Sequence, residues 1–127
     1  MIQLEQQTKH DLIFKLCTED CQQLLSALLG VRSSGSIARL EFVVDATIFK
    51  FRNPQKATIA FAKGQNDMLC RNGLTLEWTL ESETIDELTP RVGKAIEIGH
   101  FIPAELAVVE GPGNQWLRLY AELVPGT

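Results

Sequence analysis

The sequence contains 127 residues, of which 45% are hydrophobic and 22% are charged, and its 12 Lys and Arg against 16 Asp and Glu give a formal net charge of -4. This length indicates one domain, because single cores rarely divide below about 250 residues. The acidic balance disfavours nucleic-acid binding, which normally needs a basic face, and no apolar run reaches the ~18 residues of a membrane span. Three cysteines, an odd number, are typical of the reducing cytoplasm.

A strand and then a helix are predicted in the first thirty residues. His10–Cys17 alternates apolar and polar side chains, and this period of two predicts a strand with one buried face. Apolar residues at helical spacing predict a helix at about residues 19–29, with Thr18 as its N-cap and Gly30 in the left-handed position after its end. The apolar residues of this helix are Cys21, Leu24, Leu25, Leu28 and Leu29.

Three strands follow the helix. They are predicted at Ala38–Val44, Ala46–Phe51 and Thr58–Lys63, because each again shows a period of two. Arg52–Lys56 is predicted as a turn, since it contains Asn53 and Pro54. Gly64–Gly73 is the longest predicted loop.

The second half of the chain repeats this order. Leu74–Glu81 has the cleanest alternation in the sequence and predicts a strand. Thr84–Glu87 matches a capping box, which predicts a helix that Pro90 either kinks or restarts. A weak strand at Ala95–Ile98 and two strands at about residues 104–110 and 116–123 complete the pattern.

The order of elements indicates an internal duplication. It reads as βαβββ twice, with module one at about residues 8–63 and module two at about residues 73–124. Gly30 and Gly93, like Pro54 and Pro112, stand at similar separations in the two halves. We therefore expect a single α+β domain whose two modules share one mixed or mostly antiparallel sheet.

Three segments resemble the vicinal oxygen chelate superfamily, which contains glyoxalases, bleomycin-resistance proteins and extradiol dioxygenases. They are the helix end Leu24–Gly30 and the turn-and-strand segments Phe51–Phe61 and Glu110–Leu119. The resemblance implies that two βαβββ modules form a curved sheet around a cavity with the helices on its outer face. It also implies a homodimer, because two subunits usually complete the cavities in this superfamily.

The metal site of that superfamily is not reproduced. The resemblance places the four ligands at His10 or Asp11, at Ala60, near Thr75, and at Leu117 or Arg118. Ala and Leu have no ligating atom, and Arg is always cationic and repels a metal. We therefore expect neither a metal ion nor a cofactor.

The last strand provides the main candidate site. Leu117, Leu119, Ala121 and Leu123 match a buried face, which leaves Trp116, Arg118 and Tyr120 facing the cavity. Two aromatic rings and a guanidinium can stack on and pair with a planar ligand. A solvated sheet face or a dimer contact is the alternative interpretation.

Four further residues are candidates for the same site. Glu77 faces away from the buried side of its strand and is a candidate acid–base group or counter-ion for Arg118, although a surface Glu is the plainer interpretation. Lys15 and Asp11 have the same two interpretations. Ala60 lies between Thr58 and Ala62, and these small side chains leave volume for a ligand or for a neighbouring Phe.

Other chemistries lack their motifs. Cys17 and Cys21 do not have redox spacing, and no Gly-rich phosphate loop or Gly-x-Ser-x-Gly elbow occurs. The candidate site predicts metal-independent binding of an aromatic or polar-aromatic small molecule. The resemblance implies that this binding is of the drug- or metabolite-sequestering type that confers antibiotic resistance. The alternatives are a metal-independent lyase or isomerase using Glu77 and Arg118, and a protein–protein interaction module with a filled concave face.

Overall fold

The computed structural model describes residues 1–126 as eight strands and two helices. The strands are β1 (Ile2–Gln6), β2 (Asp11–Leu16), β3 (Ala38–Asp45), β4 (Gln55–Lys63), β5 (Met68–Asn72), β6 (Thr75–Leu80), β7 (Glu105–Glu110) and β8 (Trp116–Leu123). The helices are α1 (Thr18–Ser34) and α2 (Ser82–Ile98), and short 3-10 turns occupy Thr47–Phe49 and Pro112–Asn114.

The predicted α+β fold with two modules in one curved mixed sheet is confirmed, although each module is ββαββ rather than βαβββ. Module one runs from β1 to β4 and module two from β5 to β8. The equivalent helices α1 and α2 are both 17 residues long, and each ends before a left-handed glycine, Gly35 or Gly99. β2 and β6 are both six residues long and bury alternate residues in the same pattern.

The eight strands close into a ring in the order β1-β2-β8-β7-β5-β6-β4-β3. The two modules join through two parallel pairs, with Asp11 opposite Arg118 between β2 and β8 and Thr58 opposite Thr75 between β4 and β6. The pairs β1–β2, β3–β4, β5–β6 and β7–β8 are antiparallel. The parallel pairing of β2 with β8 therefore places the first hairpin, β1–β2, beside the last strand of the described chain.

The inside of the ring is filled with side chains. Trp78 stacks on Phe14 with ring centroids 5.8 Å apart and also contacts Phe61. Leu24 of α1 belongs to the same buried cluster, so the helices pack on the strand face that carries the core. The void among these residues is about 10 Å³, which is barely one water molecule. The ring thus encloses a packed core, and the expected open cavity on the inner face is absent from the described residues.

Several predicted boundaries differ from the structure. The expected strand Ala46–Phe51 is instead the 3-10 turn Thr47–Phe49, and the expected loop Gly64–Gly73 contains β5. The expected weak strand Ala95–Ile98 is the end of α2. Ala46–Phe51 and Ala95–Ile98 are short apolar segments that fit two interpretations, and ring packing selects one. β5 lies in a polar segment in which Leu69 is the one buried strand residue, so alternation does not reveal it.

The helix ends also differ. α1 continues four residues past Gly30, because Val31 extends the buried stripe of Leu24 and Leu28, and it ends at Gly35 with φ of 70°. Its N-cap is Cys17 rather than Thr18, and the Cys17 amide donates to the Asp20 carboxylate over 3.0 Å. α2 begins at Ser82 instead of using Thr84 as a cap. Within residues 1–126, neither helix combines the length and the apolar character that crossing a membrane requires.

Candidate functional site

Two of the grooves on the outer surface lie over the parallel strand pairs that join the modules, and the larger of these two lies over β2 and β8. This first groove has a volume of about 640 Å³, and its lining includes Gln7, Thr8, Asp11, Ile13, Phe101 and Tyr120. Ile13 and Tyr120 are direct partners across β2 and β8 and form its floor. Leu117, Leu119 and Ala121 are buried and Tyr120 lies on the opposite face of the strand, as the alternation predicts. That face is the outer surface of the ring, however, and not the lining of the expected inner cavity.

Asp11 fixes one wall of the first groove. Its carboxylate accepts hydrogen bonds from the Thr8 hydroxyl over 2.6 Å and from Arg118 Nε and Nη2 over 2.6 and 3.1 Å. Its backbone carbonyl accepts from the amides of Gln7 and Thr8 over 2.8 and 3.3 Å. These bonds hold the turn between β1 and β2 against the end of β8.

Arg118 is therefore not a free cation that awaits a ligand. It makes a two-pronged ion pair with Asp11, and the hydrogen bonds that it donates to the Asp11 carboxylate raise the pKa of the guanidinium. The hydrogen bonds from Thr8 and Arg118 lower the pKa of the Asp11 carboxyl. The positive charge of Arg118 and the negative charge of Asp11 offset each other at the groove edge. Paired hydrogen bonds between charged groups are stronger than hydrogen bonds between neutral groups.

The opposite wall is the segment between α2 and β7. Phe101 is buried and lines the groove, whereas its neighbour Ile102 is 66% exposed. The Ala121 amide donates to the Ala104 carbonyl over 2.9 Å. Arg91 of α2 donates to the Glu105 carbonyl over 2.8 Å, which ties the start of β7 to the helix. This wall was missed in the sequence because it becomes part of a groove only when β2 and β8 pair.

The second groove lies over β4 and β6 and has a volume of about 350 Å³. Its floor is formed by Ala60 and Ala62, and its walls include Arg39, Glu77 and Thr79. Ala60 points outward yet is only 6% exposed, because longer side chains on the two neighbouring strands rise above its methyl group. The small side chains were expected to leave volume either for a ligand or for a neighbouring Phe, and in the structure a groove lies over them.

The two grooves are equivalent positions of the duplicated modules. Each lies over the parallel strand pair that joins the modules, β2–β8 in the first groove and β4–β6 in the second. Tyr120 and Ile13 in the first groove occupy the places of Ala60 and Glu77 in the second. The same backbone frame therefore carries an aromatic floor on one side and an alanine floor on the other.

The structure does not bring all predicted site residues together. Trp116 is 63% exposed and is not among the residues that line the first groove. Lys15 pairs with Glu5 over 2.7 Å, and the hydrogen bond that it donates to the Glu5 carboxylate raises the pKa of Lys15. Lys15 lies beside a separate depression with Cys17 and Thr18. Of the seven candidate residues, Tyr120 and Asp11 line the first groove, and Arg118 lies at its edge beside Asp11.

The expected pairing of Glu77 with Arg118 is wrong. β6 and β8 are not neighbours in the ring, and β5 and β7 lie between them on the shorter path. Glu77 instead accepts a hydrogen bond from the side-chain amide of Asn72 over 3.1 Å, and Arg118 is paired with Asp11. A reaction that needs both residues in one site is therefore not supported by this geometry.

The cysteines are all free. Burial is the main cause that raises the pKa of the Cys21 thiol to about 11. Burial, together with the Glu77 carboxylate, also raises the pKa of Cys70. Since the thiolate is the reactive form, both shifts oppose nucleophilic chemistry at neutral pH.

The metal-ligand positions named by the resemblance are dispersed between the grooves. Ala60 and Thr75 line the second groove, whereas Asp11 and Arg118 are paired with each other. Within residues 1–126, no group of three or more His, Cys, Asp or Glu side chains is arranged to hold a metal ion.

Comparison with known proteins adds no family assignment. No protein-family model matches the sequence, and no curated protein is significantly similar to it. The resemblance to the vicinal oxygen chelate superfamily stays a prediction, and the ββαββ order of the modules differs from the order that it implies.

Proposed function

We propose that this protein binds a small polar-aromatic molecule in the first groove without a metal ion. The observation that carries the proposal is the groove beside Tyr120, whose volume of about 640 Å³ lies in the range of known small-molecule sites. Its lining combines the apolar Ile13, Phe101 and Tyr120 with a few polar groups at one edge. This combination is typical of ligand pockets.

The aromatic preference of the ligand follows from Tyr120 and Phe101. Both rings line the groove, and aromatic pairs favour offset or edge-to-face contacts worth about 0.5–1.5 kcal/mol beyond buried area. Thr8 and Asp11 at the edge of the groove are already oriented by their own hydrogen bonds. They offer hydrogen-bond positions to a polar substituent without reorganisation on binding.

Binding rather than turnover is the role that these groups favour. The ionisable side chains of the lining include Asp11, His100 and Glu122. Asp11 is held in place by its hydrogen bonds, and its lowered pKa makes it a poor proton acceptor at neutral pH. Sequestration of a drug or metabolite, the role expected from the superfamily resemblance, needs only the groove. We place this activity in the cytoplasm, where free cysteines such as Cys17, Cys21 and Cys70 remain reduced.

A thermal-shift panel tests the proposal. Phenol, benzamide, benzoate and benzylamine present one ring with four different polar groups. We expect at least one of them to raise the Tm of the wild type and to lose most of that shift in Tyr120→Ala. Trp116→Ala is the matched control, because Trp116 is an outward aromatic residue of the same strand and is 63% exposed. A shift that survives Tyr120→Ala, or that disappears in Trp116→Ala, places the site elsewhere.

Protein–protein contact is a second candidate function, and one observation favours it. Trp116 and Val108 are 63% and 46% exposed on the paired strands β8 and β7, and exposed apolar patches mark interaction surfaces. The homodimer implied by the resemblance is the simplest such contact. Sedimentation of the wild type and of Trp116→Ala tests it, since a dimer formed here should dissociate more readily in the variant.

A further inference from the structure

The second groove places two opposite charges on either side of an alanine floor. Arg39 of β3 is the direct partner of Ala60, and Ala60 is the direct partner of Glu77 on β6. All three therefore stand in one row across adjacent strands. Since neighbouring strands are about 4.8 Å apart, the backbones of Arg39 and Glu77 are separated by roughly 10 Å.

Neither charge is neutralised by the other. Arg39 and Glu77 take part in none of the ion pairs formed within residues 1–126. Glu77 is half-buried and is oriented by the side-chain amide of Asn72, whose Nδ2 donates to Glu77 Oε1 over 3.1 Å. The groove between the two walls has a volume of about 350 Å³, enough for a molecule of several heavy atoms.

We propose that the second groove is a binding site for a small zwitterion of the amino-acid type. Its ammonium group contacts Glu77, and its carboxylate contacts Arg39, whose planar guanidinium can bind a carboxylate through two hydrogen bonds. Its short aliphatic chain lies over Ala60 and Ala62, where no side chain larger than a methyl group fills the floor. The hydroxyl of Thr79 provides a further polar contact on the β6 side.

The charge pattern distinguishes this site from the first groove. In the first groove the equivalent floor position holds Tyr120, and the ion pair Asp11–Arg118 is already formed. In the second groove the floor is small and the opposite charges are apart. The duplicated frame therefore provides one site for an aromatic molecule and one for a zwitterion, and neither proposal depends on the other.

An NMR titration of the ¹⁵N-labelled full chain tests the zwitterion site. The ligands are glycine, 4-aminobutanoate and 6-aminohexanoate, with butanoate and butylamine as single-charge controls. We expect at least one zwitterion to bind about tenfold more tightly than either single-charge control, because each charge-assisted contact contributes about that factor. The largest shifts should map to the amides of Ala60, Ala62 and Glu77.

Five variants complete the test. Glu77→Gln and Arg39→Gln should each reduce zwitterion affinity by about tenfold, and Ala60→Leu should fill the floor and abolish binding. Glu41→Gln is the matched control, because Glu41 is an exposed carboxylate on the outward face of β3 opposite Thr58 and not opposite Ala60. Equal binding of butanoate or butylamine, unchanged binding in Glu77→Gln and Arg39→Gln, or no zwitterion binding at all overturns the proposal. Tyr120→Ala should leave zwitterion binding unchanged, which separates this result from that of the first groove.

Discussion

Truncation of Leu28 tests the packing of α1 against the ring. Leu28 is 1% exposed and belongs to the core cluster, whereas its neighbour Leu29 is 45% exposed. A buried Leu→Ala change costs about 2–5 kcal/mol, because the lost transfer energy adds to the energy of the cavity. This is a large fraction of the ~5–15 kcal/mol that stabilises an ordinary domain.

Leu29→Ala is the matched control, since it removes the same atoms from the same helix one residue away. An exposed substitution of this kind changes the free energy of unfolding by about 0.5 kcal/mol or less. Leu25→Ala should fall between the two, because Leu25 is only half-buried. Urea unfolding followed by circular dichroism provides the three values, with the slope m checked for constancy. If Leu28→Ala and Leu29→Ala agree within about 0.5 kcal/mol, the orientation of α1 described above is refuted.

Three further predictions concern backbone conformation, pH and thiol reactivity. Gly30→Ala should stabilise the protein by about 0.4–1 kcal/mol, because Gly30 is inside α1 with open space at its Cβ position. Gly35→Ala should instead cost about 1 kcal/mol or more, because its φ is 70°; equal effects in chemical denaturation would contradict the observed helix end. Because the pKa of Asp11 is lowered in the folded protein, its ionised carboxylate stabilises the fold at pH values above the ordinary pKa of 3.8. This stabilisation is lost as the pH falls through the lower pKa of the folded state. The Tm should therefore fall less between pH 5 and acid pH in Asp11→Asn and in Arg118→Gln than in the wild type, and identical profiles would contradict the role of the pair. A thiol reagent at pH 8 should modify the exposed Cys70 in the native protein. It should modify Cys21 only after unfolding, because Cys21 is buried and its pKa is raised to about 11. Modification of both thiols at the same rate in the native protein would contradict the burial of Cys21.

Alternation along the strands could be predicted from the sequence because it is a local property. Leu12 and Phe14 on β2, and Leu117 and Leu119 on β8, are buried as the period of two predicts. Arg118 faces outward because a buried, unpaired guanidinium would be costly. The same alternation is present in Ile2 and Leu4 of β1, so this strand was detectable although it was not predicted.

The composition of the candidate site could not be predicted, because it depends on which strands become neighbours. Asp11 and Arg118 meet only through the parallel pairing of β2 with β8 across the closed ring. Ring closure also decides which face is concave, so the residues expected to line an inner cavity instead lie on the outer surface. Glu77 and Arg118 belong to separate grooves for the same reason. Periodicity identifies the face of a strand, but it does not identify the strand's neighbours.

Ligand binding in the first groove is tested most directly by chemical-shift mapping. The ¹⁵N-labelled protein is titrated with the compound of the thermal-shift panel that raises the Tm most. If the compound binds in the first groove, the largest shifts fall on the backbone amides of Ile13, Phe101 and Tyr120, which line it. We expect small shifts at Phe14 and Trp78, because their aromatic side chains are buried inside the ring of strands. Largest shifts at Phe14 and Trp78, or around Trp116, would contradict the claim that the outer groove beside Tyr120 is the binding site.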